Sequence, residues 1–283
     1  MEELNLDGQN LSFIDIFLEG EKYDSISFYN NKIAKIPNFI WEQQKLKILN
    51  ASANQIKKVS PKIEKLQKLR MLDLGHNQIK KIPKTIGKLK GLDSFLYLSN
   101  NKLTQLPDAI CHLDKLRYLN ATDNQLTTLP KQIGSMKNLV EVRFYNNKLT
   151  TLPKSVVRLT QLRELHLMNN LLKFLPKKIG ELADLRVLDL EKNQLESLPK
   201  SIGKLEKIRN FNLRFNQLKK LPASIGNMKS LVHLDLRANQ LKTLPRNILQ
   251  LKNLEKLDLR WNHNLMIPTW IFRLEKNGCL IYF

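Results

Sequence analysis

Cysteine is scarce in this chain of 283 residues, with Cys111 and Cys279 the two examples. Two thiols cannot build the disulfide framework of a small secreted scaffold, so a reducing cytoplasm or a bacterial source fits better. No apolar run is long enough to span a bilayer, and no signal-peptide pattern precedes the first leucines. Localisation stays open on these grounds: cytoplasmic by sequence alone, secreted or at the cell surface if a leader has been removed. Phosphate-cradling loops of the G-x-G-x-x-G or Walker type and paired-carboxylate motifs do not occur. The expectation is a protein that is not an enzyme and that uses no cofactor and no metal. Linkers and low-complexity stretches are missing too, which points to a single domain over residues 1–283.

What the chain has in abundance is a period. Asparagine stands at positions 31, 54, 77, 101, 124, 147, 170, 193, 216, 239 and 262, nearly always 23 residues apart, inside L-x-x-L-x-L-x-x-N-x-L-x-x-L-P. Self-similarity of this kind means one supersecondary unit stacked about a dozen times. The copy from Leu185 to Leu205 shows the mechanics. Leu188 and Leu190 alternate at period two, so they point inward from a short strand while Val187, Asp189 and Glu191 point outward. Neighbouring copies then build a parallel sheet. Asn193 follows where the chain must turn, and its amide can satisfy backbone groups that would otherwise be buried without partners. Pro199 presets an extended return path, and Ile202 with Leu205 closes the core from the far side. About ten residues remain before the next strand, room for an extended or 3-10 segment but not for an ordinary helix.

The ends follow the same template. Leu4, Leu6, Leu11 and Ile14 form an N-terminal copy with Gln9 in the asparagine place, and Cys279 to Phe283 looks like a last half repeat. Residues 1–24 are therefore read as a capping repeat, 25–262 as regular repeats and 263–283 as a modified closing repeat, with Asn264 where a leucine is expected. Two interruptions stand out inside the array. Val59-Ser60-Pro61 has its proline one residue late, and the step from Asn77 to Asn101 is 24 because an extra residue falls within Leu92 to Leu98. The sheet is expected to bulge or bend there.

The return segment L-P-x-x-I-G-x-L, seen at Leu129 to Met136, Leu175 to Leu182, Leu198 to Leu205 and Leu221 to Met228, resembles the 23-residue leucine-rich repeats of bacteria, the leptospiral ones above all. It is also similar to the Ras-associated leucine-rich repeat scaffolds inside eukaryotic cells. The resemblance spans the chain and implies an α/β leucine-rich repeat solenoid of about twelve repeats. Its form would be a curved horseshoe with a concave parallel sheet and extended or 3-10 convex segments. It also implies a protein–protein interaction module, carried on or exported from a bacterium and meeting host proteins, whose partner is unidentified. Two alternatives stay open: an intracellular signalling scaffold of the Ras-associated type, and an adhesin for polyanions or membrane surfaces through lysine-rich convex segments.

Composition at first favours the last of these. Lysine and arginine number 47 against 26 aspartates and glutamates, a formal charge of +21, which in a compact domain would raise nucleic acid, anionic membrane or glycosaminoglycan binding. Placement argues otherwise. The outward sheet positions carry ten acids, among them Asp73, Glu141, Glu164 and Asp258, against six bases. The sheet face is thus mildly acidic, and the lysines gather in return segments, as at Lys84, Lys88 and Lys90 or Lys177 and Lys178. A nucleic-acid groove interleaves bases with aromatics. Here the two are expected on opposite faces, so nucleic acid is disfavoured as a partner.

Two constellations on the sheet face are candidate partner-binding sites. Ile48, Met71, Phe95 and Tyr118 occupy the same outward column in four successive repeats, with Tyr97 beside them and Tyr145 counted on the same face. An exposed apolar stripe with a polar rim is what a protein-binding hot spot needs. The alternative is that Ile48 and Phe95 tuck partly inward. Further along, Arg214, Arg237 and Arg260 form one column, with Asn212, Asp235 and Asp258 two residues earlier and Phe215 and Trp261 just after two of the arginines. They would grip a partner carboxylate and stack on an aromatic, or else make a cross-strand ladder of charges.

The remaining polar residues point to little chemistry. His76, His166 and His233 face the same way but stand three or more repeats apart, too far to share a metal. Cys111 and His112 are adjacent, and neighbours on an extended backbone point apart. The edge strands at Leu4 to Leu6 and Leu280 to Tyr282 leave weak self-association through the terminal repeats as an alternative to a monomer.

Overall fold

The computed structural model describes residues 2–14 and 23–283. The chain forms two compact units, Met1–Leu139 and Val140–Phe283, and each is built from the same three-part repeat. A three-residue strand places its middle side chain inside and its flanking side chains outside. A tight turn follows, then a one-turn 3-10 helix that carries the chain back to the next strand.

In the first unit the strands are β1 (Glu3–Asn5), β2 (Ser25–Ser27), β3 (Ile48–Asn50), β4 (Met71–Asp73), β5 (Phe95–Tyr97) and β6 (Tyr118–Asn120). They pair in parallel and in chain order. Leu49, Leu72, Leu96 and Leu119 meet across consecutive strands, and all four are fully buried. Each such side chain contributes about 1.5–3 kcal/mol by leaving water. The return segment expected after Ile14 lies partly outside the described residues.

The second unit holds β7 (Glu141–Arg143), β8 (Glu164–His166), β9 (Val187–Asp189), β10 (Asn210–Asn212), β11 (His233–Asp235), β12 (Lys256–Asp258) and β13 (Leu280–Tyr282). Leu165, Leu188, Phe211, Leu234 and Leu257 line up through its interior. Before β13 the last return segment contains α1 (Phe272–Lys276), an α-helix that the repeat pattern did not announce.

The asparagine column works as expected and reaches further. Asn54 accepts from the Ile33 amide of the preceding repeat at 2.9 Å while donating to the Phe28 carbonyl at 2.9 Å and to Ser52 at 3.0 Å. Asn216 repeats this in the second unit with Leu195, Leu190 and Leu213. Each amide therefore stitches its own turn to the repeat before it, which is why side chains only 4–8% exposed can be polar. The residue just before each of these asparagines takes a left-handed backbone conformation, from Asn30 at φ 56 and Ala53 at φ 52 to Phe215 at φ 54 and Trp261 at φ 61.

Proline caps most of the 3-10 helices. Pro199 sits at φ −69 as the cap of Lys200–Lys204, and its carbonyl accepts from the Ile202 amide at 3.0 Å. Gly203 follows the buried Ile202, where a Cβ would lie 2.1 Å from the Ser224 carbonyl oxygen of the next repeat. Close stacking of return segments therefore selects glycine in L-P-x-x-I-G-x-L.

Neither interruption deforms the strands as the period suggested. At Val59-Ser60-Pro61 the cap is simply Ser60, whose hydroxyl accepts from the Lys62 amide at 3.3 Å, with Pro61 as the first helical residue. Proline is tolerated there because a first-turn amide has no helical partner to lose. The extra residue of the 24-residue step is taken up ahead of β5. There Arg117 and Tyr118 donate to Asp93 and Ser94 separately, where the preceding strands send both amides to one carbonyl. The pairs Met71 with Phe95 and Phe95 with Tyr118 remain in register. An insertion in the lead-in costs no ladder bond, whereas one inside a three-residue strand would reverse its buried face.

Candidate functional site

In the first unit the outward stripe is real and solvent-facing. Ile48 is 37% exposed and Phe95 43% exposed, so neither tucks into the core. The parallel register sets Ile48 beside Met71, Met71 beside Phe95, and Phe95 beside Tyr118. Phe95, Tyr97 and Tyr118 form a three-ring cluster, with centroids 5.8, 5.6 and 5.1 Å apart and Phe95 stacked on Tyr97 at 10°. Pairs of this geometry add about 0.5–1.5 kcal/mol beyond simple burial and hold the rings in place.

The polar rim is ordered from below. Asn50 accepts from the Ser52 amide at 3.1 Å, Asp73 from Gly75 at 2.8 Å and Asn120 from Thr122 at 3.0 Å. The third strand position is therefore a turn cap as well as a surface residue. At Asp73 burial pushes the carboxyl above its usual range, only partly countered by hydrogen bonds from Gly75 and Ser52.

The arginine column of the second unit is a mesh of pairs rather than a plain cross-strand ladder. Asp235 accepts from Arg237 Nη2 at 2.5 Å, and Asp258 accepts from Arg260 Nη2 at 2.7 Å, each pair within one repeat and two residues apart. Between neighbouring repeats, Arg237 Nε reaches Asp258 at 3.3 Å and Arg214 Nη2 reaches Glu191 at 2.6 Å. Burial works against ionisation of Asp258, whose side chain is 1% exposed. The Arg260 hydrogen bonds and the nearby Arg237 charge nevertheless bring it below the usual carboxylate range. Phe215 and Trp261 stand out from this mesh, 40% and 53% exposed, with centroids 6.0 Å apart. Arg214 lies 5.8 Å from the Phe215 centroid, and Arg260 lies 5.9 Å from that of Trp261. Tyr145 is half-buried.

Model matches and solved structures agree with this architecture. The family described as "Leucine-rich repeat region" matches residues 154–238, and "Leucine Rich repeats (2 copies)" matches 44–86 and 67–113. A leucine-rich repeat protein of Leptospira interrogans is 34% identical, with a TM-score of 0.74 over 93% of this chain and 73% of its own. The chain belongs to the leucine-rich repeat family, in its leptospiral form. Among other solved structures, the Toll–Spätzle complex of Drosophila shares 28% identity and a TM-score of 0.77 over 90% of this chain, which spans 35% of that one. The functional domain of InlJ from Listeria monocytogenes, at 18% identity and TM-score 0.74, covers 87% of this chain and 50% of its own, and shares the fold. Among curated protein sequences, none matches significantly. Members of the leucine-rich repeat family are typically protein–protein interaction modules.

Other polar groups of this leucine-rich repeat chain fall in places that the period alone did not single out. His166 sits with Glu141 and Glu164, their ligand atoms within 4.8 Å of one another. The parallel register of β7 and β8 places Glu141 opposite Glu164, and Arg143 Nε contacts Glu141 at 2.5 Å. Cys111 is buried, and burial together with the Asp108 charge pushes its thiol up to about 11, whereas His112 is exposed. The thiol is thus protonated at neutral pH and lacks the character of a nucleophile. Among the described residues no helix is long and apolar enough to cross a membrane.

Proposed function

We propose that the strand face of the first unit binds a partner protein, with Phe95, Tyr97 and Tyr118 as anchors and Ile48 and Met71 extending the contact. The carrying observation is the three-ring cluster held on consecutive, register-locked strands with Phe95 43% exposed. A rigid aromatic patch loses little conformational entropy on binding, and aromatic residues concentrate binding energy in protein interfaces. The rim of Asn50, Asp73 and Asn120 suits a partner surface of apolar side chains edged by hydrogen-bond donors or basic groups. Similarity to a Leptospira protein supports a bacterial setting, and we propose a module that works at the cell surface or outside it, meeting host proteins. The Phe215 and Trp261 pair with its arginines is a second anchor, in the other unit.

Retention of partners on immobilised protein tests this reading, comparing wild type with Met71→Glu and Tyr118→Glu. The expected result is loss of at least one specific partner with thermal unfolding unchanged. If every captured protein is kept by both variants, the aromatic patch is not the site.

A further inference from the structure

The first unit carries a concavity of about 1000 Å³ away from the strand residues, on the flank where the chain runs from the asparagine turns into the 3-10 helices. Six lysines line it, Lys57, Lys58, Lys80, Lys81, Lys84 and Lys102, against one acid, Asp108. All six are exposed. They come from three successive repeats, so strand spacing of ~4.8 Å sets their columns close enough to repel one another at low salt.

Other lysines of the same unit are matched by an acid in a neighbouring repeat. Lys47 meets Asp24 at 2.8 Å, Lys65 meets Glu42 at 3.0 Å and Lys88 meets Glu64 at 2.7 Å. Among the described residues none of the six has such a partner. Between the lysines the floor is apolar and recessed, formed by Val59, Ile82 and Leu106, which are 5–6% exposed.

We infer that this concavity binds a sulfated glycan chain, a linear polyanion laid across the repeats. Lysine is a flexible point charge, suited to sulfates of varying spacing, whereas bidentate recognition of one fixed phosphate or carboxylate favours the planar fork of arginine. No arginine and no aromatic lines the cavity. A single-stranded nucleic acid site would need stacking platforms, and insertion into a lipid surface would need protruding apolar side chains. Sugar rings instead present C–H faces that the Ile82, Leu106 and Pro107 floor can cover while the lysines reach their sulfates. The site shares no residue with the aromatic patch and stands or falls separately from it.

Calorimetric titration of the full chain with a heparin octasaccharide at 0.15 M salt tests the proposal. Lys80→Glu combined with Lys81→Glu is expected to weaken binding at least tenfold. The same charge change at Lys200 and Lys204, in the second unit, is expected to weaken it less than threefold. Phe95→Glu should leave it unchanged, and the desulfated octasaccharide should not bind. Neutral Lys57→Ser with Lys58→Ser guards against a folding defect and should also weaken binding, with an unchanged melting curve. Equal losses at the two lysine pairs would overturn the site. So would tighter binding of a single-stranded oligonucleotide or of phosphatidylserine vesicles than of the octasaccharide.

Discussion

The Asn77 side chain accepts a hydrogen bond from the Ile56 amide of the preceding repeat at 2.9 Å and donates to the Ala51 carbonyl at 3.0 Å. Both hydrogen bonds are buried. Asn77→Ala strands the Ile56 donor and leaves the Ala51 carbonyl with only a 3.4 Å bond from Asn54, at about 1–3 kcal/mol for a group left unsatisfied. The expected loss is about 2–4 kcal/mol in urea unfolding. A loss below about 0.5 kcal/mol would mean that the column is not what joins the repeats.

Phe215 and Trp261 hold left-handed backbones, at φ 54 and φ 61, where bulky residues are strained and asparagine is at ease. Phe215→Asn is therefore expected to keep or raise stability, by up to about 1 kcal/mol. Retention of any partner anchored in the second unit should fall. A thermal melt and a binding assay on the same sample read both outcomes, and a destabilised variant would show that the ring is there for packing.

Asp73 carries a carboxyl that burial raises above its ordinary range. A raised folded value means that the ionised side chain is a penalty at neutral pH and that the penalty fades as pH falls through that value. Asparagine already caps the same turn at positions 50 and 120. Asp73→Asn should therefore increase stability at pH 7 and lose its advantage toward acid pH. An unchanged difference between pH 7 and pH 3 would count against burial as the cause.

Arg237 ties Asp235 to Asp258, and its side chain is 19% exposed. Arg237→Glu faces two carboxylates with a third and should cost about 3 kcal/mol or more in unfolding experiments. Partner loss with full stability retained would make this residue a binding group instead.

Much of this was legible in the period. Leu119 and Leu165 had to be inside because they alternate with polar or aromatic neighbours, and the asparagine column had to satisfy buried backbone. Exposure of Phe95 was not legible, because the extra residue near it left its face undecided until the insertion proved to sit before β5. The left-handed positions were hidden for another reason. Ala53, Lys192, Phe215 and Trp261 are not residues that announce such a backbone, which the fold imposes on whatever stands before each asparagine. Side-chain pairing was only half visible. Columns predicted that Arg237 and Asp258 would be neighbours, but not that Asp235 would be taken by the arginine two residues on. The lysine-lined concavity escaped notice because its residues belong to three repeats and converge only in space.

Contact at the aromatic patch can be read directly by photo-crosslinking. A benzophenone amino acid placed at Phe95, and in a parallel sample at the exposed flank residue Gln67, reports what lies against each position when a partner is bound. The account predicts a covalent adduct with the partner from position 95 and none from position 67. An adduct from 67 alone, with binding intact in both samples, would contradict it.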